Sequence, residues 1–351
     1  MRNRFTLGLT MACAAAALAS ADANTPKNAL GAIAVSPDGA TLVAAGDNRV
    51  LYVLDPASLE VKQRVAIGVN PYAAYFSADG KTLAIHDTDG AVTLFNAADW
   101  SVKTKNEGGD VMVVSAAADT YITLSYPQSK DGAYATPFTI YSLADGSKKG
   151  EGTIGGQIKS IVATPDGSAY AGLTDRIEDA TETKQSAPAD LKDLAKDEFE
   201  LKNDGYTAEL VVFDATGKEI SRTKTWYATY DSLAGSFDGT TAYFLGYSNK
   251  NLKISTDGTA SLFTLEPSYL YGMGVSGDGK TVAAGSLRDG TRYTLADGTA
   301  ANYELDQQEG WPEYFEGFGF APDGSFYGGT TAFRLAHIGA DGTIQTVKPI
   351  Y

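Results

Sequence analysis

Apolar and polar positions alternate along this chain in short blocks: an apolar run, a tight polar turn, a second apolar run, and so on toward the last residues. The second copy of the pattern is the clearest. Ala73 to Phe76 is apolar, Asp79-Gly80 makes a turn, and Thr82 to His86 is apolar again. Val92 to Phe95 follows, and a polar turn at Asn96 to Asp99 leads to Val102 to Lys105. Runs of this length between turn residues read as strands, four to a unit.

The unit recurs with a marker between its first two strands. The copies are Ser36-Pro37-Asp38-Gly39, Ser77-Ala78-Asp79-Gly80, Thr164-Pro165-Asp166-Gly167, Ser236-Phe237-Asp238-Gly239, Ser276-Gly277-Asp278-Gly279 and Ala321-Pro322-Asp323-Gly324, with Ala117-Ala118-Asp119-Thr120 as a worn third copy. Counted on the Asp, the intervals are 41, 40, 47, 72, 40 and 45 residues. About forty residues is the period of a four-stranded propeller blade. The pattern predicts an all-β fold, a seven-bladed β-propeller of four-stranded blades. In the six regular markers Gly supplies the positive φ of a tight turn, and the Asp carboxylate accepts backbone donors, so these aspartates read as turn formers.

Small residues precede the markers: Ala32 and Ala34, Ala73 and Ala74, Ala163, Ala234 and Gly235, Gly272 and Gly274, Gly317 and Gly319. Innermost strands crowd around a common axis, so these positions are expected to line a channel. A second turn recurs later in the blades, as at Asp145-Gly146, Asp257-Gly258 and Asp341-Gly342, and joins the third and outermost strands. Each blade is thus complete in sequence, and the ring is expected to close by packing without a strand borrowed from the other terminus. The 72-residue interval marks an insertion at about 175–205 in blade 4, where Pro188 to Phe199 reads as a short helix with Leu191, Leu194, Ala195 and Phe199 on one face. Alone it is marginal, so docking on its own propeller is expected.

The segments Ile33-Ala34-Val35-Ser36-Pro37-Asp38-Gly39, Leu51-Tyr52-Val53-Leu54-Asp55 and Val65-Ala66-Ile67-Gly68-Val69-Asn70-Pro71 carry a family resemblance. In that order they resemble the repeat of the YVTN-type seven-bladed propellers, exported proteins similar in appearance to tryptophan-aspartate-repeat propellers. The resemblance covers nearly all of the chain after its first residues. It implies the fold and export. It fixes no chemistry, because the group includes binding proteins, surface-layer proteins and subunits of amine-oxidising enzymes.

The first residues read as a secretory signal over 1–23, leaving 24–351 as the propeller. Arg2 and Arg4 give a basic start, Phe5 to Leu18 an apolar stretch too short to span a bilayer, and Ala21-Asp22-Ala23 a small-residue cleavage site. A periplasmic or secreted protein with no transmembrane segment in the mature chain follows as an expectation. Cys13 is the single cysteine and lies within this segment, in a poor lipoprotein-type box. The net charge of −15 argues against nucleic acid and anionic membranes as partners, and favours a small neutral or cationic ligand or a protein.

In a propeller the loops entering the innermost strands, and those joining second and third strands, surround one mouth of the channel. Here the entering loops carry Tyr72, Trp226, Tyr227, Tyr230, Tyr269, Tyr271, Trp311, Glu313, Tyr314 and Glu316, which we take as candidate ligand-binding residues. Ring faces and carboxylates suit a sugar, or an amine held by cation-π contact and ion pairing. They also suit rim packing.

The catalytic inventory is thin. His86 and His337 are the only histidines, and no Gly-x-Ser-x-Gly nucleophile turn accompanies them. His86 is the weak catalytic candidate. No metal site or cofactor is expected: the mature chain has no cysteine, its two histidines are dispersed, and neither a haem-attachment motif nor a calcium-loop spacing is present. The reading is a non-catalytic binding propeller, with a lactone-type hydrolase using His86, or a subunit of a periplasmic amine-oxidising enzyme, as alternatives.

Overall fold

The computed structural model describes residues 30–109, 111–130, 133–178, 184–226, 234–306 and 313–350. The signal segment with Cys13, and the candidates Tyr227, Tyr230 and Trp311, lie outside the described residues.

Seven antiparallel sheets follow one another along the chain. Their innermost strands are Leu30–Val35, Pro71–Phe76, Val111–Ser115, Ile158–Ala163, Ala234–Phe237, Gly272–Val275 and Phe315–Phe320. The blade whose strands were the clearest in sequence consists of Pro71–Phe76, Thr82–Asp87, Val92–Asn96 and Val102–Asn106. Second strands such as Leu42–Gly46 and Tyr170–Thr174 are buried at every position, because blades pack face to face and both sides of a middle strand meet a neighbour. The outermost strands, such as Val61–Ala66 and Val102–Asn106, are largely exposed and correspondingly polar.

The ring closes by packing. The last sheet is Phe315–Phe320, Phe326–Thr330, Arg334–Ile338 and Ile344–Pro349, and among the described residues no strand from blade 1 joins it. Leu30, Ile33, Leu42, Tyr52 and Leu54 of blade 1 share an apolar cluster with Tyr327, Leu335 and Ile350 of blade 7.

Two blades are richer than four strands. In blade 3 a short strand, Gln128–Lys130, and in blade 4 another, Ile177–Glu178, prolong the second strand and pair with the start of a long third strand, Ala133–Ser142 and Tyr206–Phe213. The third and fourth strands of blades 3, 4 and 5 run eight to ten residues, against five or six in the other blades. The second strands cover only their later halves, so the extra length forms a wall beyond the ring on the side of the entering loops.

The helix in the 72-residue interval spans Asp193–Lys202, starting later than Pro188. It falls between Ile177–Glu178 and Tyr206–Phe213, two strands of one sheet. Leu194 and Leu201 pack on the core shared by blades 4 and 5. Glu198 Oε2 accepts the Leu262 N–H at 3.2 Å, and Lys250 pairs with Asp197 at 2.7 Å. Docking on the propeller satisfies a helix too short to stand alone. Ala195, expected on the docked face, is exposed, because the packed face is set by Leu194 and Leu201.

The marker turns carry the predicted chemistry. In the first, Ser36 Oγ donates to Asp38 Oδ1 at 2.5 Å, the Ala40 N–H donates to the same oxygen at 3.0 Å, and Gly39 takes φ 71°. In the worn third copy Asp119 itself takes the left-handed conformation, φ 54°, after a 3-10 turn at Ala116–Ala118, and its Oδ1 accepts the Ala78 N–H of the neighbouring blade at 2.7 Å.

Hydrogen bonds from nearby hydroxyl and backbone N–H groups hold ten turn aspartates, Asp38, Asp79, Asp99, Asp145, Asp166, Asp214, Asp257, Asp297, Asp323 and Asp341, below the usual carboxylate range. Asp79, Asp145 and Asp166 are pushed down to about 2. A depressed folded-state value contributes stability that is complete above the unfolded value near 3.9 and is lost as pH falls through the folded one. These groups are exposed, so each contribution is small and the effect is collective. The melting temperature is therefore expected to fall steadily between about pH 4.5 and pH 2, measured by calorimetry across that interval. A flat profile down to pH 2 would contradict this role for the turns.

Candidate functional site

A channel of about 960 Å³ follows the ring axis. Ala34, Ala73, Ala74, Gly274, Gly317 and Gly319 line it, as the small-residue pattern predicted. Ala32, Ala163 and Ala234 instead pack between blades. The small residues also let neighbouring inner strands touch: a Cβ on Gly274 would lie 2.7 Å from the Phe318 carbonyl oxygen. At the marker-turn end the channel narrows, where a Cβ on Gly277 of blade 6 would come within 3.8 Å of the Ala116 methyl of blade 3 across the axis. The opposite end is lined by Tyr72, Tyr247, Tyr271 and Glu316, and the walls between include Ile33, Tyr75, Met273 and Phe320.

Local sequence explains the collar. Tyr72 follows Pro71 at the start of the blade 2 inner strand, and Tyr271 immediately precedes that of blade 6, so both emerge where the chain turns inward. They are 53% and 43% exposed, and Tyr247 57%, which leaves their rings available to a ligand in the recess. The Tyr72 ring meets His86 edge-on at 6.0 Å, and Tyr271 meets Tyr314 edge-on at 4.9 Å. Burial, then the neighbouring Tyr247 and Glu316, push the Tyr72 hydroxyl up from its ordinary value.

Glu316 is also raised, first by burial and then by the Asp47 carboxylate. Asp47 directly follows the second strand of blade 1, Leu42–Gly46, and its Oδ1 is buried without a hydrogen-bond partner among the described residues. Neither carboxylate has a basic partner within 4.0 Å among those residues: the ion pairs there involve other acids. The recess thus joins aromatic faces to negative charge that the described part of the chain leaves unneutralised.

The other sequence candidates sit elsewhere. Glu313 is turned into blade 7, where its carboxylate receives Arg334 Nε at 2.8 Å, the Arg334 terminal nitrogen, and Thr330 Oγ1 at 2.6 Å. Tyr314 lies behind Tyr271 as a buttress. Tyr269 ends the long fourth strand of blade 5 and is 70% exposed on the wall. Trp226 ends the fourth strand of blade 4, packs against the core of blades 4 and 5, and has the Lys202 ammonium 5.6 Å from its ring centroid. His86 is buried, and its Nε2 donates to the Gly109 carbonyl at 3.1 Å.

Asp47 and Tyr247 lie in loops joining second and third strands, whereas the sequence candidates were taken from the entering loops alone. A signal existed: each follows a glycine and lies nine residues after its marker aspartate, Gly46-Asp47 after Asp38 and Gly246-Tyr247 after Asp238, at equivalent places in blades 1 and 5.

No family model matches this sequence, and no curated protein matches it. Among solved structures, the crystal structure of Saccharomyces cerevisiae Sqt1 superposes with a TM-score of 0.51 at 11% identity, covering 92% of this chain and 85% of that one. A likeness at that identity concerns the fold alone, and it agrees with a WD40-like propeller.

Proposed function

We propose that this protein is an exported, YVTN-like binding propeller without chemistry of its own, which takes a small neutral or cationic ligand at the mouth of its axial channel. The observation that carries this reading is the recess itself: solvent-facing Tyr72, Tyr247 and Tyr271 beside Glu316, above apolar walls. Concave aromatic sites with a few convergent polar groups are where small molecules bind. The hydrolase alternative has less support, because His86 is buried and its Nε2 is committed to a carbonyl.

A thermal-shift panel of sugars, polyamines and aromatic amines tests the reading. A ligand at a hundred times its Kd adds about 2.7 kcal/mol of stability. For a chain of this size that is a rise of about 4 °C. Tyr271→Ala should remove the rise. A shift that survives both Tyr271→Ala and Tyr72→Ala would place binding elsewhere. Export is tested separately, by the N-terminus of the protein recovered outside the cytoplasm, expected at Asn24.

A second reading, a protein partner on the same face, has its own support. Eight of the ten exposed large apolar side chains among the described residues lie on loops or strand ends of the mouth face, and Tyr126, Tyr134, Ile177 and Leu287 among them lie outside the channel. Exposed large apolar side chains gathered on one face suit an interaction surface.

A further inference from the structure

We propose that Arg292 anchors a second ligand site, in the cleft between blades 6 and 7 toward the marker-turn side of the cavity, and that this site takes a monocarboxylate carried on an apolar body. It lies apart from the tyrosine collar and goes beyond the reading of the mouth.

Strand pairing aims the guanidinium into that cleft. Arg292 belongs to the third strand of blade 6, Asp289–Thr294, and stands opposite Ala283 on one side and Ala301 on the other. Directly opposed residues share a face of the sheet. Ala283 packs with Phe318, Phe326 and Ile338 of blade 7, so Arg292 rises on that side too, between two methyl groups that leave room above them. Its neighbour Tyr293 takes the other face, stacked on Phe263 of blade 5. Arg292 lines the cavity together with Thr281, Phe320, Ala321 and Pro322.

The guanidinium has no partner there. Its Nε is enclosed without an acceptor, and its terminal nitrogens, which are not enclosed, have neither a hydrogen-bond acceptor nor an ion pair among the described residues. Arg222, Arg288 and Arg334, the other arginines drawn out of full exposure among those residues, each hold a glutamate. The contrast stands in a chain of 43 acidic against 28 basic residues. The two free nitrogens match the two oxygens of a carboxylate as a planar fork.

Local charge sets the class. Lys280, the other cation on this part of the cavity, is already beside Asp278 at 4.0 Å. One uncompensated positive charge suits a monoanion better than a phosphate dianion, whose second charge would face Asp278. Phe320, Ala321 and Pro322 offer the apolar body its contact surface.

The test is calorimetric titration of the protein with benzoate, its neutral isostere benzamide, and inorganic phosphate. Charge-assisted hydrogen bonds predict that benzoate binds at least about tenfold tighter than benzamide, and tighter than phosphate. Arg292→Gln should bring the benzoate and benzamide affinities together, and Arg292→Lys, which keeps the charge without the fork, should weaken benzoate while leaving benzamide unchanged. Melting curves check that each variant folds, and Arg292→Lys supplies the comparison if Arg292→Gln does not. Tyr271→Ala, at the collar, should leave benzoate binding as it is.

Equal affinity for benzoate and benzamide overturns the inference, as does a preference that survives Arg292→Gln, benzoate binding unaltered by Arg292→Lys, or phosphate binding tighter than benzoate. Benzoate binding lost in Tyr271→Ala but kept in Arg292→Gln places the anion at the collar and overturns it as well. None of these results touches the mouth reading, which stands or falls on the sugar and amine panel.

Discussion

Gly317→Ala is expected to lower the melting temperature by about 4–5 °C, whereas Gly31→Ala, in the strand facing it, should leave it nearly unchanged. Gly317 sits in the innermost strand of the last blade, directly against the first. A Cβ there would enter the Gly31 carbonyl oxygen, with the carbonyl carbon behind at 2.7 Å and Cα at 3.2 Å. All three obstacles are backbone, so no side chain can rotate away. Overpacking costs about 1–3 kcal/mol, and a backbone obstacle places this change at the upper end. A Cβ on Gly31 meets nothing closer than the Tyr72 carbonyl oxygen at 4.0 Å, so its cost should stay within about 0.5 kcal/mol. Scanning calorimetry of the pair reads the asymmetry. Equal melting temperatures would mean that blades 7 and 1 are not in backbone contact.

Glu313→Ala should be more damaging still, by about 3–5 kcal/mol, because it leaves the Arg334 guanidinium buried without its counter-ion. The side chains of Glu313 and Arg334 are 3% and 9% exposed, and the carboxylate is held by Arg334 Nε at 2.8 Å and Thr330 Oγ1 at 2.6 Å. For a chain of this length that is a drop of about 4–7 °C. The double change Glu313→Leu with Arg334→Met should recover most of it, since an apolar pair of similar volume removes both the charge and its desolvation. Denaturant unfolding of the two single variants and the double variant provides the cycle. A Glu313→Ala protein as stable as the parent would argue that the carboxylate is free for another task, as its sequence position suggested.

That residue shows where a sequence stops being legible. The period of Asp-Gly turns is local chemistry, written in consecutive residues, and it delivered seven blades and the placement of most strands. A carboxylate in an entering loop carries no mark of which way it points. Glu313 and Glu316 are three residues apart, yet one is locked to Arg334 inside the blade and the other faces the channel. The difference comes from Arg334, which opens the third strand of that sheet beside Thr330, the other side chain that binds Glu313. Among the aromatics, Tyr72 and Tyr271 reach the mouth because each sits at the start of an innermost strand, a position the repeat defines. Trp226 was drawn away by the docked helix, an element outside the repeat. Tyr247 sits in a loop joining second and third strands, nine residues after the blade 5 marker Asp238, and that loop carries no repeated residue pattern of its own.

The central claim is that binding takes place at the tyrosine-lined end of the channel. It is tested most directly by a crystal structure of the protein grown with the ligand that gives the largest thermal shift. The account predicts difference density within contact of Tyr72, Tyr271 and Glu316. Density at the Asp-Gly turn end, or on the outer strands with the mouth holding only water, would contradict it.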